Sequence, residues 1–140
     1  TRGFVDTLAG TKFAVVQRAY GDWDLQISLE AASGILAEHP DLLGFYCNND
    51  IMALGVVQAA RAAGRSEDLV IIGTDGIDPA YAAIERGELS ATVDSFPYRT
   101  GEMAVEVMLR LLQGQQVPRV VYSPQELITR DDISRARRAK

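Results

Sequence analysis

Residues 44–47 (Gly-Phe-Tyr-Cys) and 69–72 (Leu-Val-Ile-Ile) are short apolar runs that do not alternate with polar positions. A strand with one buried face alternates. A strand apolar throughout is buried on both faces, and that condition belongs to a parallel sheet covered by helices on each side. Residues 13–17, 91–93 and 120–122, and more weakly 126–128, are further runs rich in β-branched or aromatic side chains. Each reads as a strand, because such residues suit a pleated, buried surface.

Helical stretches separate these runs. Residues 25–38 place Ile27, Ala31 and Ile35 on one row and end at His39-Pro40, because the residue before a proline avoids the helical region. Asp50 is the expected N-cap of a helix over 51–63 that stops at Gly64. Asp78 caps a third, with Pro79 in its first turn and Gly87 past its end. Residues 98–113 carry Met103, Val107 and Leu111 at every fourth position and stop at Gly114. Residues 2–9 read as the remainder of a helix ending at Gly10. The alternation predicts an α/β, doubly wound, mostly parallel sheet with helices on both faces. In such sheets ligands sit where strands hand over to helices, at their carboxyl ends.

Four strand exits carry polar or aromatic groups. The first, residues 20–24, holds the only tryptophan, Trp23, between Asp22 and Asp24. Its flat apolar face suits the C–H face of a sugar ring; alternatively it packs partly buried while Asp24 caps a helix. The second is Asn48-Asn49-Asp50, where an asparagine can both donate to and accept from a hydroxyl or can hold the turn. At the third, Asp75 lies between Thr74 and Gly76. Its carboxylate can accept two hydroxyls in charge-assisted bonds or can bond its own turn. The fourth is Asp94-Ser95-Phe96-Pro97. Together they form a polar and aromatic mouth suited to a polar small molecule.

Other chemistries are disfavoured. The net charge of −5 argues against a nucleic-acid surface, and the terminal cluster Arg135, Arg137, Arg138 and Lys140 reads as a solvated tail. There is no Gly-rich phosphate loop, Gly-x-Ser-x-Gly elbow or Cys/His metal spacing, so neither a cofactor nor a metal is expected. The single histidine, His39, reads as a helix terminator and the single cysteine, Cys47, as a small core residue. No apolar run approaches a membrane span, and no signal peptide is visible. The chain opens at Thr1 without a methionine, so its true start is expected upstream.

The segments 49–55 (Asn-Asp-Ile-Met-Ala-Leu-Gly), 59–64 (Ala-Ala-Arg-Ala-Ala-Gly), 71–76 (Ile-Ile-Gly-Thr-Asp-Gly) and 84–93 (Ile-Glu-Arg-Gly-Glu-Leu-Ser-Ala-Thr-Val) resemble the carboxy-terminal lobe of ribose-type, type I periplasmic binding proteins of ABC transporters. The resemblance runs from about Gly3 to Asp131. It implies a monosaccharide bound between two lobes, of which this chain holds one, without its first strand. It further implies that Trp23 stacks on the sugar ring, Asn49 binds a hydroxyl and Asp75 holds two. Thr74 and Ser95 fall where ribose binders carry an aromatic and a glutamine, which leaves room for a different ligand. The family's ligand-binding arginine would precede Thr1.

By the same pattern residues 1–96 form the ligand-binding lobe, and 97–123 a helix and strand that pack on an absent amino-terminal lobe. Residues 124–140 return and end in the basic tail. With that lobe absent, the apolar face of 98–114 is expected to be exposed, unless it docks elsewhere or pairs with a second copy in a homo-dimer. Implied partners are a sugar, the missing lobe and an ABC permease or membrane sensor, in a periplasmic or extracytoplasmic location. Function is binding and closure, not catalysis. A rival is the effector domain of LacI-like repressors, which resembles this fold, shares the Asn49-Asp50…Ala53 segment, and would be cytoplasmic with nucleic acid as partner. A remoter rival is an enzyme on a doubly wound fold.

Overall fold

The structure is a computed structural model, and it describes residues 2–139. In chain order its elements are α1 (Arg2–Leu8), α2 (Leu25–Glu38), β1 (Gly44–Tyr46), α3 (Asp50–Ala62), β2 (Val70–Asp75), α4 (Asp78–Glu85), β3 (Ala91–Asp94), α5 (Pro97–Leu112), β4 (Glu126–Ile128) and α6 (Ile133–Ala139). A 3-10 turn, Arg130–Asp132, leads into α6. The sheet order is β1-β2-β3-β4. The first three strands are parallel and β4 runs antiparallel to β3. No described helix is long and apolar enough to cross a membrane.

Strand register sorts the side chains into two faces. Phe45, Ile71, Thr92 and Ile128 share one face, since side chains alternate along a strand and paired residues point the same way. That face carries the core. Ile71, Tyr81, Ile84, Leu89 and Ile128 are almost wholly buried in one cluster with Ala53, Ala80 and Ala83. Tyr46, Ile72 and Val93 share the opposite face, where Phe4 of α1 stacks on Tyr46 with ring centroids 4.8 Å apart. Helix α2 packs chiefly against α3. Their close approach requires Gly55, because a Cβ there would strike the Leu25 carbonyl.

Two expected strands are not strands. Residues 13–17 and 120–122 join no ladder and leave Phe13, Val16, Val120 and Tyr122 exposed. A strand needs a neighbour to satisfy its backbone, and β1 pairs only with β2. Composition provides the propensity but not the partner. The terminal basic segment also departs from its reading. Arg135 and Arg137 are exposed as expected, but the segment is no free tail: it forms α6, with Ile133 and Ala136 buried in the core. Arg135 binds both Glu126 oxygens, at 2.8 and 2.6 Å, and Arg137 reaches Glu85 at 3.3 Å. Lys140 lies outside the described residues. His39 does end α2: its N–H bonds the Ile35 carbonyl at 2.9 Å, and its ring bonds Gln17 at 2.9 Å.

Helix α5 behaves as the sequence suggests in one respect. None of its residues is buried, and Val105, Met108, Leu109, Leu111 and Leu112 are all exposed.

Candidate functional site

The exits of β1, β2 and β3 lie at one edge of the sheet, because three parallel strands end on the same side. At the β1 exit Asn49, not Asp50, caps α3. The Asn49 Oδ1 accepts from the Met52 N–H at 2.8 Å, and the residue is 4% exposed. Asp50 is drawn away from the capping position by tertiary partners. It is fully buried, and its Oδ2 accepts from the N–H groups of Gly76 at 2.8 Å and Ile77 at 2.9 Å. Its Oδ1 accepts from the Thr92 hydroxyl at 2.7 Å. One carboxylate thus ties α3, the β2 exit and β3 together. Burial pushes its pKa up, the Thr92 hydroxyl and the two N–H groups oppose that rise, and the charge of Asp75 adds to it.

At the β2 exit Asp75 has φ of 119° and is exposed, with its pKa raised by partial burial of the carboxyl against the opposing Asp50 N–H. A non-glycine residue there is strained and needs its surroundings to hold it. The Asp50 bonds to the next two amides do so. Thr74 does not face the groove described below; its hydroxyl bonds the Cys47 carbonyl at 3.2 Å.

Asp94 ends β3, fully buried and in register with Asp75. Its Oδ2 accepts from the Tyr81 hydroxyl, and its Oδ1 accepts from the Phe96 N–H at 2.7 Å. Phe96 is left-handed, with φ of 43°, and precedes Pro97 at the start of α5. In the turn of residues 20–24, Asp22 and Trp23 are also left-handed, with φ of 48° and 59°. Trp23 is 68% exposed, and Asp24 caps α2 by accepting from the Ile27 N–H at 2.9 Å. Of the packing alternative, the Asp24 cap is present and the packed tryptophan is not. Likewise Asn49 is a cap, while its amide nitrogen makes no hydrogen bond among the described residues.

An open groove of about 640 Å³ runs between the β2 and β3 exits. It brings together two of the five residues singled out from sequence, Asp75 and Ser95, with Gly76, Ile77, Phe96 and Tyr98. Trp23, Asn49 and Thr74 are not among its lining residues. Asp50 and Asp94, which bond the lining residues Gly76, Ile77 and Phe96, were missed as site residues. The available signal was Asp94 itself, a carboxylate closing an apolar strand. Cys47 is confirmed as a core residue: it is buried at the β1 exit, and burial, then the charge of Asp50, pushes its thiol up to about 12. Among the described residues no cluster of histidine, cysteine or carboxylate groups could hold a metal ion.

Comparison with known proteins gives a consistent set. Residues 1–116 match the periplasmic binding protein domain. A D-ribose/D-allose-binding protein of Pseudomonas aeruginosa is 35% identical over 133 residues, covering 92% of this chain and 42% of its own length. The ribose import binding protein RbsB of Bacillus subtilis is 34% identical over 122 residues, covering 87% of this chain and 39% of its own. Among solved structures, GanP, a glucose-galactose binding protein from Geobacillus stearothermophilus, superposes with a TM-score of 0.88 at 30% identity. That match covers 94% of this chain and 47% of GanP. An ABC transporter solute binding protein from Agrobacterium vitis with bound D-fucose gives 0.87 at 29% identity, covering 97% of this chain and 47% of that one. The chain therefore spans less than half the length of the relatives it matches.

Proposed function

The chain belongs to the periplasmic binding protein domain family, and on that premise we propose that it is one lobe of a sugar-binding component of an ABC transporter. The bound molecule is a monosaccharide, held at the carboxyl edge of the sheet between this lobe and a second one. Asp75 and Ser95 contact its hydroxyls from the groove, and Trp23 and Asn49 meet it from the neighbouring turns. Thr74 acts by holding the β2 exit against β1. The lobe spans residues 1–96, and 97–123 reach across to the second lobe. The ligand stabilises the closed form through contacts with both lobes, and the closed form is what a membrane permease recognises outside the cytoplasm. Binding, without turnover, is the activity.

The observation that carries this reading is the groove between the β2 and β3 exits with Asp75 on its wall. A carboxylate held at the end of a buried strand is a strong acceptor for hydroxyls. Sugar binding by relatives of this fold supports the choice of ligand class.

The test is a fluorescence titration of the full-length gene product carrying these residues, against D-ribose, D-allose, D-fucose, D-glucose and D-galactose. A saturable change with one sugar, lost in Asp75→Ala, is expected, and a Trp23→Phe control assigns the signal. A folded protein that responds to none of them overturns the monosaccharide reading.

A further inference from the structure

Asp94 meets two of the residues that line the groove without lining it itself. On one side its carboxyl lies so close under Gly76 that a Cβ there would collide with it. On the other its Oδ1 accepts the Phe96 N–H at 2.7 Å. Gly76, at the β2 exit, and Phe96, at the start of α5, both line the same groove. The orientation of the Asp94 carboxyl therefore sets the distance between the β2 turn and the start of α5.

A second group fixes that orientation. The Tyr81 hydroxyl, from α4, donates to Asp94 Oδ2, and Tyr81 is fully buried. The Tyr81 ring is itself held, with the Arg137 guanidinium of α6 5.8 Å from its centroid. Phe96 needs this support. It is a bulky residue with φ of 43° and ψ of 66°, a conformation that persists only where the surroundings impose it. Pro97 keeps Phe96 out of the right-handed helical region. The Phe96 carbonyl then accepts from the Thr100 N–H at 2.9 Å to begin α5.

We infer that Tyr81 and Asp94 are positioning residues for the groove. The Tyr81 hydroxyl orients the Asp94 carboxylate, which holds Phe96 left-handed and seats Gly76, so the spacing of Asp75 and Ser95 depends on a hydroxyl that touches no ligand. This inference rests on the groove being the binding site.

The experiment compares wild type with Tyr81→Phe, Asp94→Asn and Asp94→Ala in the full-length gene product. Two readouts are D-allose and D-ribose affinity by calorimetry and amide hydrogen exchange at single residues. Tyr81→Phe keeps the ring and removes one hydrogen bond. It is expected to speed exchange at the Phe96 amide selectively while α4 and β3 stay protected, and to weaken sugar binding by about tenfold. Asp94→Asn can still accept from Phe96 and meet Tyr81, and is expected to retain most of the affinity that Asp94→Ala loses. Unchanged Phe96 exchange in Tyr81→Phe overturns the inference. So does exchange that rises uniformly along α4 and β3, or affinity that holds while Phe96 is freed. The exchange readout needs no ligand. If wild type binds neither sugar, the binding proposal is what fails, and Phe96 exchange still decides whether the pair holds the strand exit.

Discussion

Asp50 and Gly76 are 26 residues apart, and the side chain of the first accepts the backbone N–H of the second at 2.8 Å inside the core. With Ile77 and Thr92 on the same carboxylate, this bond sets the turn that presents Asp75. Asp50→Ala would remove the acceptor shared by the Ile77 and Gly76 amides and the Thr92 hydroxyl, leaving Gly76 its longer 3.3 Å bond to the Thr92 oxygen. The expected loss of stability is about 3 kcal/mol or more, read by urea denaturation.

Gly73 is the space in which that carboxylate sits. A Cβ at Gly73 would land on Asp50 Oδ1, and 3.2 Å from the Ala53 Cβ. Asp50 is held by three hydrogen bonds and cannot step aside. Gly73→Ala is therefore expected to cost about 2 kcal/mol. In Asp50→Ala the severe obstruction is gone and only the Ala53 contact remains, so the double variant should be more stable than the sum of the two single losses predicts. Additive losses would show that the two residues do not compete for space.

The buried carboxyl also gives a pH signature. Burial raises the Asp50 pKa in the native state, so the folded protein holds this proton more tightly than the unfolded chain. The stability contributed by the group is then greatest below its unfolded value of about 4. It declines as pH climbs from there through the raised native value, and is flat above. Glu126 and Asp132 are lowered by Arg135 and by Thr129 and act in the opposite sense. The informative quantity is thus the stability of wild type minus that of Asp50→Asn, which is expected to fall with rising pH across this interval.

Trp23 is predicted to matter for binding and hardly at all for folding. At 68% exposure, its replacement by alanine should change stability by about 0.5 kcal/mol or less while weakening sugar affinity by about tenfold through the lost ring face. Calorimetric titration beside a thermal melt separates the two effects.

Cys47 should be inert in the native protein. Its thiol is buried and pushed up to about 12, so almost no thiolate exists at pH 8. A disulfide-exchange reagent is expected to label it only after denaturant is added.

The helices were the legible part of this sequence because their ends are marked locally. Asp24, Pro40, Gly64 and Gly87 each act on their own chain neighbours, and α2, α3 and α4 lie within a residue or two of their expected bounds. What was not legible depends on distant partners. Asp50 looks like a helix cap from its neighbours, and only the position of Gly76 and Thr92 reveals that it serves elsewhere. Residues 13–17 have strand composition, yet no strand lies beside them. Helix α6 was hidden by its charge, although Ile133 and Ala136, three apart on one face, were a sign that it docks. Of the proposed binding residues, Asp75 and Ser95 could be seen to share a strand edge. The support beneath them comes from Asp50, Tyr81 and Asp94, whose bonds to Gly76, Ile77, Thr92 and Phe96 exist only once the chain is folded.

The pairing of Asp94 with Glu126 has a mechanical side. The chain leaves the sheet at the end of β3 and re-enters it at the start of β4, and these two points are register partners, about 5 Å apart as neighbouring strands are. Beyond Phe96, which joins the core, the chain from Pro97 to Gln125 is hung between those two points. Two anchorages so close together resist twisting and sliding but offer little leverage against swinging about the line that joins them. The axis about which a body mounted in this way yields most readily is the line through the last register pair of the ladder.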